Sequence, residues 1–443
     1  MAMPLFHVVT LGCKVNQCES ASLTLQLNQA GYRLTTDAAR ADIFIINTCT
    51  VTSRAAMQSR QAVRRLLRLQ PRARVLVTGC SVQTDPRAFQ SISGVTHVVG
   101  HLEKESIPEI LKGGKSPAAI LKWPEVDRLP PLTHPLVDLK FSSTPDQGRT
   151  RAFFKIQDGC NSFCTYCIVP HARGRSRSLP LESVLAGLAD YAARGYREVV
   201  LTGIHLGQWG RDLAPPSRIE TLLDHIEKQH ALEQIRLSSI EPNELSDGVI
   251  GRVAGGGGFA RHFHIPLQSG DDGVLRRMGR PYTRAYFRQL IGRIQAALPD
   301  AGIGVDVMVG FPGEDPQAFE QTVSLLEALP VTYLHVFPFS PRPGTPARDF
   351  DHQVPSQESK RRAARLRELG RSKQRRFLEG LVGRTVDVLV TGSSARDPQT
   401  MEGLTSNYAT ISFPGTPRLR NRRLRINVLE LDGNHQLIGK RVA

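Results

Sequence analysis

Three cysteines stand close together in the segment DGCNSFCTYC, residues 158–167. Cys160, Cys164 and Cys167 follow the apolar run RAFFKIQ with the spacing CxxxCxxC. Three neighbouring thiolates can ligate three irons of a 4Fe–4S cluster and leave the fourth iron open. The same spacing would suit one buried stripe of a helix, but the glycine, asparagine, serine and proline around it favour a loop. The segment therefore predicts an iron–sulfur site.

Three further cysteines each stand at the end of an apolar run. Cys13 follows VVTLG, Cys49 follows IFIINT and Cys80 follows VLVTG, and a helical stretch comes after each. If these runs are parallel strands, their carboxyl ends share one edge of a sheet, where ligands bind in open α/β folds. Three unrelated buried thiols are the alternative, which would make the common placement a coincidence. We expect these cysteines to hold a second iron–sulfur cluster.

The seventh cysteine, Cys18, lies five residues after Cys13 and follows no strand end. We expect it near the start of the next helix and interpret it as a thiol without a ligand role. The amino-terminal residues lack the pattern of a signal peptide, and no apolar run reaches the ~18 residues of a membrane span. We therefore expect a cytoplasmic protein without membrane attachment, in which clustered cysteines more often bind metal than form disulfides.

Positive charge dominates the composition, with a formal net charge of +16 and a pI near 9.9. Such an excess favours a polyanionic partner, and its clustering favours nucleic acid over general solubility. Arg60, Arg64 and Arg68 would share one helical face, and the segment HARGRSRS follows the CxxxCxxC cysteines. His171, Arg173, Arg175 and Arg177 of that segment could meet phosphate or a cofactor carboxylate. Longer basic runs cover 359–376 and 418–425.

The elements that must position these residues fall into an α/β chain of three folded parts. Residues 1–112 alternate strand-like and helical runs, which predicts a parallel sheet. Residues 113–148 carry six prolines and read as a linker. Residues 149–375 show six apolar runs separated by helical stretches, which suits a partial (β/α)6 barrel. Residues 376–443 show short alternating strands, typical of a small antiparallel β-barrel of the oligonucleotide-binding kind.

The CxxxCxxC segment, with Tyr166 before its last cysteine, resembles the motif of radical S-adenosylmethionine enzymes. LGCKVNQ, NTCTVT and VTGC are similar to the three cysteine motifs of the methylthiotransferases within that group. HIPLQSGDDGVLRRMGRPYT, VDVMVGFPGE and FSPRPGTPA resemble their barrel motifs, and the terminal barrel resembles their RNA-binding TRAM module. Within the family, GCKVNQ and SRQAVRR are most similar to the branch that acts on N6-threonylcarbamoyladenosine in tRNA. Cys18 and the run GGGG at 255–258 depart from the pattern.

The resemblance implies two 4Fe–4S clusters and S-adenosylmethionine as cofactors. Cys160, Cys164 and Cys167 would hold the cluster that cleaves S-adenosylmethionine to a radical, and Cys13, Cys49 and Cys80 would hold an auxiliary cluster. Tyr166 would lie near the adenine of the cofactor, and Gly203 of the LTG loop near its methionine part. The implied partners are a tRNA, an electron donor and a sulfur source, and the implied product is 2-methylthio-N6-threonylcarbamoyladenosine at position 37, beside the anticodon.

Other functions stay open from the sequence. The same chemistry could act on N6-isopentenyladenosine in tRNA or on an aspartate of a ribosomal protein, although the basic terminal barrel disfavours a protein substrate. A radical enzyme that methylates without inserting sulfur would not need the cysteines at 13, 49 and 80. An RNA-binding protein with a structural or redox-sensing cluster would not cleave S-adenosylmethionine at all.

Overall fold

The computed structural model describes residues 3–101, 103–114, 150–394, 397 and 399–442. The linker predicted over 113–148 therefore lies almost wholly outside the described residues. The chain divides into two compact units, each treated by itself below. The first takes in 1–146, 155–180 and 340–348, and the second takes in 147–154, 181–339 and 349–443. The domain boundaries read from the sequence stay predictions.

A parallel sheet forms the centre of the first unit, as the alternating sequence pattern predicts. Its strands are β1 (Leu5–Thr10), β2 (Arg33–Leu34), β3 (Ile43–Thr48), β4 (Arg74–Gly79) and β5 (Val95–Val98). Their order is β2-β1-β3-β4-β5, and every neighbouring pair is parallel. The carboxyl ends of β1, β3 and β4 consequently lie side by side at one edge of the sheet.

Helices cover both faces of this sheet. Ile43 and Ile45 share a buried cluster with residues of α1 (Lys14–Gln29) and α5 (Ile107–Leu111). Phe44 and Ile46 share the other cluster with residues of α2 (Ser53–Leu69). Successive strand residues point to opposite faces, so the unbroken apolar run IFII suits a strand that is buried on both sides. The short helices α3 (Cys80–Thr84) and α4 (Arg87–Gln90) follow β4.

The second unit is built on strands of the predicted partial barrel. The chain forms β6 (Arg151–Lys155), and then β7 (Gln157–Asp158) and β8 (Arg177–Ser178), which pair in the first unit around α6 (Val169–Arg173). The remaining core strands are β9 (Glu198–Thr202), β10 (Gln234–Leu237), β11 (His262–Gln268), β12 (Gly302–Val309) and β13 (Tyr333–Pro338). They form the sheets β10-β9-β6 and β11-β12-β13, which a parallel bridge between Ser239 and His264 connects. The predicted six-stranded partial barrel is confirmed.

Helices separate these strands along the chain. They are α7 (Leu181–Ala193), α8 (Ile219–Gln229), α9 (Asp247–Ala254), α10 (Asp272–Arg277), α11 (Arg284–Ala297) and α12 (Pro316–Ala328). Ser246, Asp271, Thr283 and Asp315 cap α9 to α12 through side-chain oxygens that accept a backbone N–H of the first turn. The GGGG run follows α9, and its Gly258 carbonyl accepts the Ile235 N–H at 2.7 Å. Single 3₁₀ turns occupy Ala38–Arg40, Lys104–Ser106, Leu206–Gln208, Pro242–Glu244, Pro346–Asp349 and Pro417–Leu419.

A long helix, α13 (Ser356–Glu379), leads to the terminal barrel. The barrel consists of β14 (Thr385–Ser393), β15 (Thr400–Thr405), β16 (Thr410–Pro414), β17 (Arg423–Leu431) and β18 (Leu437–Arg441). It is closed, as predicted, but β16 pairs with β18 in parallel, whereas the other pairs are antiparallel. Among the described residues, no helix is both long and apolar enough to cross a membrane.

Within the second unit, the turn before β16 packs against the core strands. The buried Arg236 guanidinium pairs with Glu198, with Nε at 2.8 Å from Oε1, and donates to the Ser406 carbonyl at 2.9 Å. Tyr408, whose φ is +74°, stacks on the His262 ring with 4.5 Å between ring centroids. A buried charge needs such partners, so the terminal barrel and the core hold each other through a specific polar contact.

Candidate active site

The three strand-end cysteines converge at one edge of the first sheet, as the sequence predicts. Cys13 is the N-cap residue of α1, three residues after β1, Cys49 directly follows β3, and Cys80 directly follows β4 as the first residue of α3. Cys13 is exposed, whereas Cys49 and Cys80 are buried. All seven cysteines of the chain lie within the described residues, and none of them forms a disulfide.

Two glycines bring these cysteine loops together. Gly12 precedes Cys13 at φ +100°, and a Cβ there would lie 2.7 Å from the Cys49 Sγ. Gly79 precedes Cys80 at φ +102°, and a Cβ there would lie 2.5 Å from the Thr48 backbone nitrogen. Only glycine takes such a backbone conformation readily, and only a missing Cβ permits so close an approach. Both glycines therefore hold a cysteine loop against the end of β3.

We expect Gly79→Ala to disrupt this edge of the sheet. Alanine at a positive φ lowers the free energy of unfolding by more than about 1 kcal/mol, and the clash with Thr48 adds to that loss. Gly31→Ala is the matched control, because Gly31 has φ +92° in the same unit but has open space where a Cβ would lie. Urea unfolding and iron analysis after anaerobic reconstitution measure the effect. Equal stability and equal iron content of the two variants would contradict the expectation.

The CxxxCxxC cysteines lie in the loop between β7 and α6, also in the first unit. The Cys160 N–H donates to the Gly174 carbonyl at 3.1 Å, and the Cys167 N–H donates to the Cys164 carbonyl at 2.9 Å. The Ser162 N–H points at the Cys160 Sγ at 3.4 Å. The loop is thus folded back on itself by its own backbone, and it is not the buried helical stripe that the spacing could also have formed.

Six titratable side chains form a buried ionic cluster beside these loops. They are Glu19, His101, Lys104, Lys155, Asp158 and Arg173. The Arg173 Nη1 lies 2.8 Å from Glu19 Oε1 and 2.9 Å from Asp158 Oδ1. The Lys155 Nζ lies 3.2 Å from Glu19 Oε1 and 3.1 Å from Asp158 Oδ2. Lys104 Nζ contacts the other Glu19 oxygen.

The pKa values in this cluster reflect both burial and the neighbouring charges. Burial by itself would raise the pKa of Glu19, but the Arg173, Lys104 and Lys155 charges hold that pKa well below its usual range. Burial likewise opposes ionisation of Asp158, yet Lys155 and Arg173 keep the pKa of its carboxyl well below the ordinary value. Burial and the neighbouring cations lower the pKa of His101 to about 4. At neutral pH the cluster therefore holds ionised carboxylates around a neutral imidazole.

The buried thiols Cys18, Cys49 and Cys80 stay protonated at neutral pH when no metal is bound. Burial raises the pKa of Cys80 to about 11, although the Arg173 charge acts against it, and burial also raises the pKa of Cys49. Burial raises the pKa of Cys18 in α1 to about 12. Iron binding removes the proton from a coordinating thiol outright. These thiols are therefore poor nucleophiles, because a nucleophilic thiol needs a lowered pKa.

The residues present fit two iron–sulfur clusters. Each site offers three cysteines from the first unit, and a three-thiolate set is what a 4Fe–4S cluster with one open iron takes. Backbone and side-chain N–H groups point at sulfur in both sets, from Ser162 to Cys160 and from Arg173 to Cys80 at 3.2 Å. Such donors are the usual surroundings of cluster sulfur.

The other predicted site residues lie outside the two cysteine sets. Tyr166 is half-buried in the CxxxCxxC loop, and Gly203 follows the carboxyl end of β9 in the second unit. His171 and Arg177 are half-buried and Arg175 is exposed. The expectation that Arg173 contacts a phosphate is wrong, because its side chain is 1% exposed and pairs with carboxylates of its own chain.

Comparison with known proteins identifies the family. Residues 5–100 match a family described as "Uncharacterized protein family UPF0004", and residues 154–326 match the radical SAM superfamily. The chain is 34% identical to the threonylcarbamoyladenosine tRNA methylthiotransferase MtaB of Bacillus subtilis, over 97% of this chain and 94% of the relative. It is 35% identical to the MtaB of Chlamydia pneumoniae, over 92% and 91% of the two chains. The chain belongs to the radical S-adenosylmethionine methylthiotransferase family.

Other relatives in this methylthiotransferase family carry a different substrate in their name. The tRNA-2-methylthio-N(6)-dimethylallyladenosine synthase of Desulfitobacterium hafniense is 33% identical over 93% of this chain and 92% of its own. Among solved structures, the radical S-adenosylmethionine methyltransferase TsrM of Kitasatospora setae is similar, with a TM-score of 0.57 and 16% identity over 79% of this chain and 77% of that one. This likeness shows the fold. The cofactors of the methylthiotransferase family are S-adenosylmethionine and two 4Fe–4S clusters, as predicted.

The buried ionic cluster was not foreseen from the sequence, although a signal was present. Asp158 stands two residues before Cys160, and Glu19 directly follows Cys18. A charged residue this near a cysteine is unusual in a segment that is otherwise buried, and such a residue needs a partner. The partners come from segments that are distant in sequence, so the sequence does not predict which cations pair with Glu19 and Asp158.

A second group in the barrel of this methylthiotransferase also went unnoticed. His264, Asp306 and His335 stand on the adjacent strands β11, β12 and β13. Asp306 Oδ1 lies 2.8 Å from His264 Nε2 and 3.2 Å from His335 Nδ1. Burial opposes ionisation of Asp306, but hydrogen bonds from the two imidazoles hold its pKa well below the usual range. His264 and Asp306 stand in two of the segments that resemble the family's barrel motifs, and His335 lies four residues before the third, FSPRPGTPA.

The basic runs differ in how much free charge they offer. On α13, Arg362 is buried and pairs with Glu314. Five arginines of this helix form ion pairs with glutamates: Arg361 and Arg362 with Glu358, Arg365 with Glu320, Arg371 with Glu368 and Arg375 with Glu379. In the terminal barrel, by contrast, Arg418, Arg420, Arg422 and Arg425 are exposed. A cleft of 490 Å³ lined by Arg197, Glu233 and residues 420–423 lies beside them in the second unit. Five arginines of α13 are thus occupied by carboxylates, whereas the terminal barrel exposes the four arginines named above.

Proposed function

We propose that this chain converts N6-threonylcarbamoyladenosine at position 37 of tRNA, beside the anticodon, to its 2-methylthio derivative. The MtaB relatives named above, which cover nearly the whole chain, support this substrate. A tRNA substrate also agrees with a cytoplasmic location. An electron donor and a sulfur source are required by the chemistry and stay predictions. The ligand residues we propose are Cys160, Cys164 and Cys167 for the radical cluster, Cys13, Cys49 and Cys80 for the auxiliary cluster, and Tyr166 and Gly203 for S-adenosylmethionine.

One observation carries the proposal: both cysteine sets lie in one compact unit and border one buried ionic cluster. Arg173 contacts the Cys80 sulfur and also Asp158, two residues before Cys160. A methyltransferase without sulfur insertion would need the CxxxCxxC set alone, and an RNA-binding protein with a structural cluster would need just one set. Two adjacent sets of three thiolates are what methylthio transfer requires.

The C2–H of adenine is neither acidic nor open to an ordinary side-chain base, so the cofactors must supply the reactivity. When bound, the two clusters and S-adenosylmethionine supply the radical, the sulfur and the methyl group. The chain's own residues supply ligands and orientation. The buried thiols Cys49 and Cys80 keep their site away from water, and the exposed Cys13 leaves one side of it open.

The exposed arginines of the terminal barrel support RNA as the partner. Asn421 and Arg423 anchor this surface to the connections that precede β9 and β10 in the second unit, where they donate to the Gly195 carbonyl at 2.7 Å and to the Glu233 carbonyl at 3.1 Å. Neighbouring Arg420 and Arg422 stay exposed and can neutralise phosphates. Phosphate contacts of this kind fix register on RNA, while a splayed base is read elsewhere.

The test is an anaerobic assay with the reconstituted full chain, S-adenosylmethionine, a sulfide source and a reductant. Three anticodon stem-loops serve as substrates, carrying N6-threonylcarbamoyladenosine, N6-isopentenyladenosine or plain adenosine at position 37. Nucleoside mass spectrometry measures the product. We expect the mass gain of a methylthio group on the first stem-loop, with the Cys160→Ala variant as the inactive control.

Each other outcome would overturn part of the proposal. Conversion of the isopentenyl substrate in preference to the first would replace the substrate. A mass gain of a methyl group without sulfur would replace the reaction. Cleavage of S-adenosylmethionine without any product on the three stem-loops would exclude these tRNA substrates and point to a protein substrate.

A further inference from the structure

We propose that Arg173 is a positioning residue that fixes the two cysteine loops relative to each other and donates a hydrogen bond to the sulfur of Cys80 in the cluster-loaded enzyme. This inference rests on the proposed function, because it takes Cys80 as a ligand of the auxiliary cluster. It assigns a role to a residue of the basic segment HARGRSRS, whose sequence had suggested a phosphate contact.

The guanidinium of Arg173 is fully engaged inside the first unit. Its Nε donates to the Cys80 Sγ at 3.2 Å, and its Nη2 donates to the Asn16 Oδ1 at 2.5 Å. Its Nη1 donates to Glu19 and Asp158 at 2.8 and 2.9 Å. With a side chain that is 1% exposed, Arg173 cannot meet an RNA phosphate without unfolding this region.

Through these contacts Arg173 connects the loop of Cys13, the loop of Cys80 and the CxxxCxxC loop, but not the loop of Cys49. Asn16 and Glu19 lie on α1, three and six residues after Cys13. Asp158 lies two residues before Cys160, and Arg173 itself ends the helix that follows Cys167. The planar fork of arginine carries five N–H donors in fixed directions, which a lysine ammonium cannot copy. One side chain thereby fixes the separation of loops that are far apart in sequence.

The direction of the Nε–H bond separates this role from a simple ion pair. Glu19 and Asp158 engage Nη1, which would be enough to neutralise the buried carboxylates. The Nε–H is left for the sulfur. A hydrogen bond to a cluster thiolate withdraws negative charge from the iron–sulfur unit and favours its reduced form. We therefore expect Arg173 to raise the reduction potential of the auxiliary cluster.

The first experiment measures that potential. The full chain carrying Cys160→Ala, Cys164→Ala and Cys167→Ala should retain the auxiliary cluster alone, so an EPR-monitored redox titration reports on it directly. In this background Arg173→Lys and Arg173→Gln should lower the midpoint potential. Lys104→Gln is the matched control, because Lys104 is a cation of the same buried ionic cluster that contacts Glu19 and the Asn47 Oδ1 at 3.1 Å. An unchanged potential in both Arg173 variants, or an equal shift in the Lys104 variant, would overturn the inference.

A second measurement needs no substitution of Arg173 and so holds even if its variants fail to fold. The same triple-alanine chain is labelled with 15N-arginine, and pulsed EPR of the reduced cluster is recorded. We expect a 15N hyperfine coupling that is missing from unlabelled protein, and the lack of a coupling in the labelled sample would overturn the inference. If the triple-alanine chain binds no iron at all, the auxiliary cluster and with it the proposed function fail, which distinguishes the two failures.

Discussion

Replacing Cys160, Cys164 and Cys167 together with alanine should remove about half of the iron and abolish cleavage of S-adenosylmethionine. Full reconstitution should give about eight irons per chain if both sites hold 4Fe–4S clusters, and the triple variant about four. The loop of these cysteines is held by its own backbone bonds, from Cys160 to Gly174 and from Cys167 to Cys164, which alanine does not remove. The loss should therefore reflect the missing ligands and not a collapsed loop.

The measurements are iron analysis and detection of 5′-deoxyadenosine after reduction with dithionite. The matched control is Cys18→Ala, which also removes a thiol from the first unit but should keep both readouts at the wild-type level. Retention of the full iron content by the triple variant would show that the CxxxCxxC set is not a cluster site. Loss of all iron would show that Cys13, Cys49 and Cys80 hold no cluster of their own, which would contradict the proposed function.

Replacing Cys13 with alanine should eliminate the auxiliary cluster and the methylthio product while leaving S-adenosylmethionine cleavage intact. Cys13 is the N-cap residue of α1 at the edge where Cys49 and Cys80 also lie, so it is one of the three proposed ligands that converge there. Removing one ligand of a three-thiolate set leaves the remaining two without a stable cluster. Iron content should fall by about half, and nucleoside mass spectrometry should find no methylthio product.

Cys18→Ala is the decisive comparison, because Cys18 lies on α1 only five residues further along the chain. The pKa does not distinguish a proposed ligand from a thiol without a ligand role, since burial raises the pKa of Cys18 to about 12 and that of Cys80 to about 11. The position of the cysteine at a strand end does distinguish them. We expect Cys18→Ala to keep both clusters and lower the free energy of unfolding by about 1 kcal/mol, because it trims a buried side chain. If it lost the auxiliary cluster instead, the argument from strand ends would be wrong.

The placement of the cysteines illustrates what a sequence can predict about a site. Cys49 and Cys80 each follow directly on an apolar run, and Cys13 comes three residues after one. Parallel pairing brings the carboxyl ends of such runs to one edge, whatever the intervening loops do. The period of the apolar residues therefore predicted both the sheet and the convergence of the three cysteines at its edge. The closed terminal barrel followed in the same way from short alternating runs, although the parallel pairing of β16 with β18 did not.

The sequence did not indicate which of its arginines would be buried and which would be exposed. The segment HARGRSRS and the basic run of α13 read alike as surfaces for a polyanion. In the folded chain Arg173 turns inward to Glu19, 154 residues away in sequence, and Arg362 turns inward to Glu314. Exposed arginines remain in the terminal barrel. A run of arginines does not reveal which distant carboxylates will face it.

The sequence by itself thus determined the two cysteine sets, the family and the order of the folded parts, because these follow from local spacing and from the periodicity of strands and helices. The tertiary structure alone decided which charges are buried and what Arg173 contacts. The physical reason is that a buried ion pair depends on side chains that meet only after distant segments have packed, and burial then makes each unpaired charge too unfavourable to keep.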